Sequence, residues 1–95
     1  MKVIAEEPWN WFLFEDGKTL YLDVLVEHGA TSYSVTNVLN IDQATTFKQK
    51  GSAYLNVLAS DMRTKALMRQ WSVPALPSDW AELSISAVRE WNLHK

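Results

Sequence analysis

Few side chains here are able to do acid–base, nucleophilic or metal chemistry. There is no cysteine, which excludes a disulfide framework, a thiolate zinc site and a thiol nucleophile. The two histidines are His28, beside a turn signal, and His94, next to the last residue. A triad or metal site needs His, Asp or Glu converging from rigid elements. Glu27 adjoins His28, but neighbouring strand residues point to opposite faces. Asp23 is the one carboxylate in the middle of an extended apolar segment, with Asn10 and Ser34 expected across the sheet from it. Such a carboxyl is a candidate for a raised pKa. A concave pocket around it would mark a small-ligand or enzyme domain. Ser32 and Ser34 lack the surroundings of a nucleophile elbow, and the three glycines are too widely spaced to cradle a phosphate. The expectation is a protein that is not an enzyme, with no metal and no cofactor.

Lys48, Lys50, Arg63, Lys65 and Arg69 could line a helical surface for nucleic acid, with aromatic rings to stack on bases. Their spacing places Lys48 and Arg63 on different sides of any continuous helix. The whole chain carries a net charge of −2, whereas a dedicated nucleic-acid protein usually has a basic excess. A weak nucleic-acid-associated accessory role is therefore an alternative reading. Residues 1–42 sum to −5 and residues 43–95 to +3. This split lets the halves attract each other, or presents surfaces of opposite sign to partners.

The elements that position these residues change character near residue 42. Trp9 to Glu15, Thr19 to Glu27 and Thr31 to Ile41 read as three strands, punctuated by Asp16-Gly17 and His28-Gly29. With Asp16-Gly17 as a two-residue loop, Glu15 faces Lys18, Leu13 faces Leu20, Trp11 faces Leu22 and Trp9 faces Val24. The period of two then puts Trp9, Trp11, Leu13, the even-numbered apolar residues of the second strand, Tyr33, Val35 and Leu39 on one core face. Asn37 falls there as well, which signals a sheet end or bulge. The opposite face carries Phe12 paired with Tyr21, plus Phe14, Asp23 and Leu25.

The remainder reads as helix. Asp42 is the expected cap, and Phe47, Gly51, Tyr54, Leu55, Leu58 and Met62 form one stripe that runs through Gly51. Leu67, Met68 and Trp71 lie on a different stripe, so a kink or break is expected between residues 60 and 64. Val73 to Pro77 is extended because each proline disfavours helix before it. Trp80, Leu83, Ala87, Val88 and Trp91 share a helical face, although residues 83–87 also alternate like a strand.

These readings give a single α+β domain over residues 1–95. A three-stranded antiparallel β-meander at 9–41 precedes two or three helices at 42–91 packed on one face, with short flexible ends. No basic start with a long apolar run is present, and no stretch approaches the ~20 apolar residues of a membrane span. A cytoplasmic protein with no membrane association is expected. Five tryptophans in a cysteine-free chain of 95 residues are the unusual feature, and Trp71, before the proline-rich connection, is the one expected to be partly exposed. If all helices cover one face, the other exposes Phe12, Phe14, Tyr21 and Leu25 inside a polar rim, which is what an interface looks like. The function expected on that basis is a protein-interaction module. Its partner is another protein or a second copy of itself, taken through the open sheet face and edge strand with Phe12, Phe14, Tyr21, Asp23, Leu25 and Trp71.

Overall fold

The computed structural model describes residues 1–94. Its α+β architecture is a four-stranded antiparallel meander, order β1-β2-β3-β4, with three helices. The strands are β1 (Lys2–Glu7), β2 (Trp11–Asp16), β3 (Thr19–His28) and β4 (Thr31–Val38). The helices are α1 (Ile41–Lys50), α2 (Ser52–Leu67) and α3 (Trp80–Leu93).

The strand not foreseen in the sequence is β1. It pairs with β2, Lys2 opposite Glu15 and Val3 opposite Phe14, and then the register slips at Ile4 so that Ala5 faces Leu13 and Glu6 faces Phe12. This bulge puts Val3 and Glu6 on one face of the sheet while Ile4 and Ala5 pack on the other cluster. The N-terminal segment is thus sheet, not a loose end.

The β2–β3 register is offset by two residues from the expected one. Asp16 pairs with Thr19, so the loop is Gly17-Lys18, with Gly17 at φ 60°. A positive φ at the first central position alone is the type II′ arrangement, whose twist suits a hairpin. Leu13 therefore faces Leu22, Trp11 faces Val24, Phe14 faces Tyr21 and Phe12 faces Asp23. A slip of two preserves parity, so the core face is as expected except for Trp9. That residue lies in the β1–β2 turn, not in a strand.

The first face of the sheet buries Trp11, Leu13, Leu20, Leu22 and Val24 against Leu55, Ala59 and Met62 of α2. Helix α1 starts at Asn40, not at Asp42: the Asn40 side chain accepts from the Gln43 N–H at 2.8 Å, and the Gln43 side chain accepts from the Asn40 N–H at 3.0 Å. This reciprocal capping box satisfies two otherwise orphaned donors. Asn37 is the sheet end, its amide donating to Gln43 Oε1 at 3.2 Å. The helix does not continue through Gly51, which sits at φ 68°, ψ −150°, a region essentially reserved for glycine. The kink expected at 60–64 is absent. Leu55, Ala59, Met62 and Ala66 keep one buried stripe along α2, and Lys65 pairs with Asp61 at 3.0 Å on its outer side. The phase change in the sequence marks the helix end instead. Arg69 takes a left-handed φ of 59° while Gln70 N–H bonds to Lys65 O at 2.7 Å and Arg69 N–H to Ala66 O at 3.1 Å. That pair of bonds is the Schellman arrangement.

The expected packing of all helices on one face is overturned by α3, which is helical throughout. The segment after α2 starts against the first-face core at Trp71 and reaches the second face at Leu76, passing β4. Helix α3 then lies on the second face, with Trp80, Ala87, Val88 and Trp91 over Val3, Phe14 and Tyr21. The Trp80 ring meets Phe14 edge-on at 5.4 Å and Tyr21 at 4.9 Å. The Trp91 indole N–H donates to Glu6 Oε1 at 2.8 Å. The sheet is therefore the middle of three layers.

Candidate functional site

Helix α3 covers only part of the second face. Its apolar side meets the Val3–Phe14–Tyr21–Val38 end of the sheet, because the register places those residues side by side across the strands. Toward the other end lie Phe12, Asp23, Leu25 and Ser34, and there the sheet opens into a cleft of about 440 Å³. Its walls come from the β1–β2 turn (Trp9, Asn10), from Glu6 on β1 and from Asn92 on α3.

The turn explains the cleft's shape. Glu7 and Trp11 pair at its base, and Asn10 N–H bonds back to Glu7 O at 2.9 Å. Trp9 between them adopts φ 64° and is 91% exposed. A left-handed bulky residue costs about 1–2 kcal/mol and is a backbone outlier that points toward function. The Asn10 backbone carbonyl accepts from Leu25 N–H at 2.9 Å, which docks the turn on the extended end of β3. From the far side of the sheet Arg63 Nε donates to Leu25 O at 3.1 Å, and Arg63 Nη2 donates to Asn10 Oδ1. A basic side chain of α2 thus fixes the turn that carries Trp9. A second depression of about 340 Å³ lies past Trp9, bounded by Leu25, Glu27 and Arg63.

Asp23 is the polar centre of the cleft. Its sheet neighbours are Phe12 and Thr36, not Asn10 and Ser34: Ser34 pairs with Leu25, and Thr36 Oγ1 donates to Asp23 Oδ1 at 2.8 Å. Burial pushes the Asp23 carboxyl above its ordinary value of 3.8, while the hydroxyls of Thr36 and Ser34 pull it back in part. Folding therefore favours protonation of Asp23: between the unfolded value and the raised folded one the folded chain holds a proton that the unfolded chain has released, and above both the carboxyl is ionised in either state. Through this group, stability is greatest at low pH and falls as pH rises from the unfolded value through the raised folded one. Asp23→Asn keeps an acceptor for Thr36 and removes the buried charge. The expected result is a higher urea midpoint than the parent protein at pH 7, with the gap closing below about pH 3.8. A less stable variant at pH 7 would show that the hydroxyl bonds outweigh desolvation.

The residues singled out from the sequence separate into groups. Phe12, Asp23 and Leu25 meet in the cleft. Phe14 and Tyr21 do not join them as surface: they are 1% and 8% exposed beneath α3. Replacing Tyr21 by serine is therefore a core change, not a surface one. Trp71 is half-buried against the first-face core and borders a separate depression near Val35, Thr36 and Val73. The basic set is not brought together: Arg63 turns inward, Lys65 is paired with Asp61, Arg69 ends α2, and Lys48 and Lys50 lie in the last turn of α1. His28 sits at the β3–β4 turn, and His94 contacts Glu90 at 2.9 Å. Among the described residues no group of three or more His, Asp or Glu could hold a metal ion, and no helix is long and apolar enough to cross a membrane. Trp9 is the site residue that sequence reasoning assigns to the core. Pro8 and Asn10 on either side of it are turn-forming residues, and they are the available signal.

Comparison with protein-family models, with curated proteins and with solved structures finds no match for this chain.

Proposed function

We propose that this protein is a non-enzymatic interaction module that takes a protein partner at the open end of its second sheet face. One observation carries the reading: α3 roofs half of that face and leaves the other half as a cleft rimmed by an almost fully exposed tryptophan. Tryptophan is enriched at binding hot spots, and the turn that sets the Trp9 backbone leaves its ring in solvent. The half-buried Phe12 and Leu25 supply apolar area, and Asp23, Ser34 and Asn10 supply polar contacts, the mixture found in interfaces. The β4 edge continues the surface, with Thr31, Ser32, Tyr33 and Ser34 exposed and available to pair with an extended segment.

A second reading, a small-ligand site around Asp23, draws on the same cleft, whose volume lies in the range of ligand pockets. The partner reading is favoured because the cleft is open and continues past Trp9 into the second depression. The test is affinity capture from source lysate with the parent chain and with Trp9→Ser combined with Leu25→Ser, alongside light scattering of each pure protein. The expected result is a partner, foreign or a second copy, held by the parent and lost in the variant while the variant keeps its cooperative thermal unfolding. Capture and self-association that are identical in both proteins would remove this face from any binding role.

A further inference from the structure

The chemistry of the cleft selects the kind of group it takes. Asp23 lies on its floor beside Phe12 and Leu25, partly withdrawn from water. An ionised carboxylate offers roughly four acceptor sites, and the hydroxyls of Thr36 and Ser34 occupy only part of that capacity. A second carboxylate, Glu6, stands in the wall, fixed by the Trp91 indole. At the rim the Trp9 ring is 91% exposed and has no aromatic contact among the described residues, and it lines the same cleft as Asp23. A carboxylate and an uncovered indole lining one cleft are the pair of groups that attracts a planar cation, by ion pairing with the one and by the negative ring face of the other.

We propose that this cleft binds an arginine side chain of a protein partner, its guanidinium on Asp23 and its plane against Trp9. The assignment rests on the interaction-module reading above and names its target. A neutral or acidic group seated there would leave a half-buried carboxylate without compensation. Lysine matches the charge but not the flat face or the forked donors of guanidinium. The peptide on either side of the inserted residue has a path, since the cleft opens past Trp9 toward Glu27 and Arg63. Glu27 on β3 lies along that path, which complements a basic segment.

The test is an NMR titration of the full chain with N-acetyl-Gly-Arg-Gly amide and with the same peptide carrying citrulline, the uncharged isostere of arginine. The expected result is saturable shifts at the Trp9 indole N–H and at the amides of Phe12, Asp23 and Leu25. Arginine should bind about tenfold more tightly than citrulline, as expected for a charge-assisted pair. Asp23→Asn should bring arginine down to the citrulline affinity. Trp9→Ala, which removes only exposed surface, should weaken it as well and decides the matter if the first variant folds poorly. Equal binding of the two peptides, shifts that map away from the cleft, no shifts at all, or unchanged affinity in the variants would each overturn the proposal. n-Propylguanidine, the arginine side chain without peptide flanks or further charge, should bind more weakly than the tripeptide, and equal or tighter binding would overturn assignment to a protein partner. Partner capture that depends on Trp9 and Leu25 while citrulline matches arginine would leave the interaction reading standing and remove this one. Arginine binding in the cleft with capture unaffected would leave a guanidinium site there and overturn its assignment to a protein partner.

Discussion

Replacing Trp11 with alanine is expected to cost about 3–5 kcal/mol, enough to leave much of the chain unfolded at 37 °C. Trp11 is 1% exposed at the centre of the first-face cluster, between Leu13 and Val24 on the sheet and the Leu55–Ala59–Met62 stripe of α2. A domain of this size starts from about 5–15 kcal/mol in total, and without disulfides it has nothing else to fall back on. Two losses combine in the variant. The indole N–H donates to Asn56 Oδ1 at 2.9 Å, a bond worth about 0.5–1.5 kcal/mol net. The cavity left by the ring costs more than the bond. The two separate by substitution: Asn56→Ala deletes the bond from an exposed partner and should cost about 1 kcal/mol, and Trp11→Phe should fall between. Urea denaturation of the three variants measures the order. If Asn56→Ala proved as damaging as Trp11→Ala, the hydrogen bond rather than the packed ring would be what holds α2 to the sheet.

The core to which Trp11 belongs is readable because it depends on parity alone. Trp11, Leu13, Leu20, Leu22 and Val24 fall on one face for any even slip of the hairpin, so placing the turn one residue early changes every pair and no face. What distinguishes the two registers is which central position of the loop Gly17 occupies, and the dipeptide Asp16-Gly17 favours the wrong answer. The stripe of α2 is legible for the same periodic reason. Its boundaries are not, because Gly51 breaks a helix whose apolar phase continues across the break, and local backbone geometry overrides the pattern there.

The features hidden from the sequence share a different cause. In β1 the bulge at Ile4 puts Ile4 and Ala5 on the same side, which destroys the alternation that identifies a strand. For α3 the stripe Trp80–Ala87–Val88–Trp91 states that one side must be buried but not against which face of the sheet. That choice is made by the segment between Arg69 and Asp79, which is long enough to pass β4 and carries no periodic signal. The candidate site inherits both effects. Phe12, Asp23 and Leu25 follow from parity. Phe14 and Tyr21 join them only on a second face that no helix covers, and Trp9 falls in the core only while it continues the strand.

Ala87→Arg is expected to release α3 from the sheet while the first-face core stays folded. Ala87 is buried against Val3, Phe14 and Tyr21, and no larger side chain fits without displacing them. Overpacking alone costs about 1–3 kcal/mol, and an arginine there also buries a charge whose only escape is movement of the helix. The rest of the attachment is the packing of Trp80, Val88 and Trp91 on that cluster, with the Trp80 ring contacts to Phe14 and Tyr21 and a hydrogen bond from Trp91 to Glu6. Once undocked, a helix of 14 residues is marginal in water and should unfold. The buried side chains of α2 pack on the other side of the sheet, so the two helices share no core. Hydrogen exchange should therefore show α3 amides losing protection while those of Leu55, Ala59 and Met62 keep it. The newly bared Phe14 and Tyr21 make an apolar face, and light scattering should detect self-association beyond that of the parent protein at the same concentration. Loss of protection in both helices together would mean that the three layers form one cooperative unit. In that case the half-roofed face is fixed by the whole fold rather than by α3 alone.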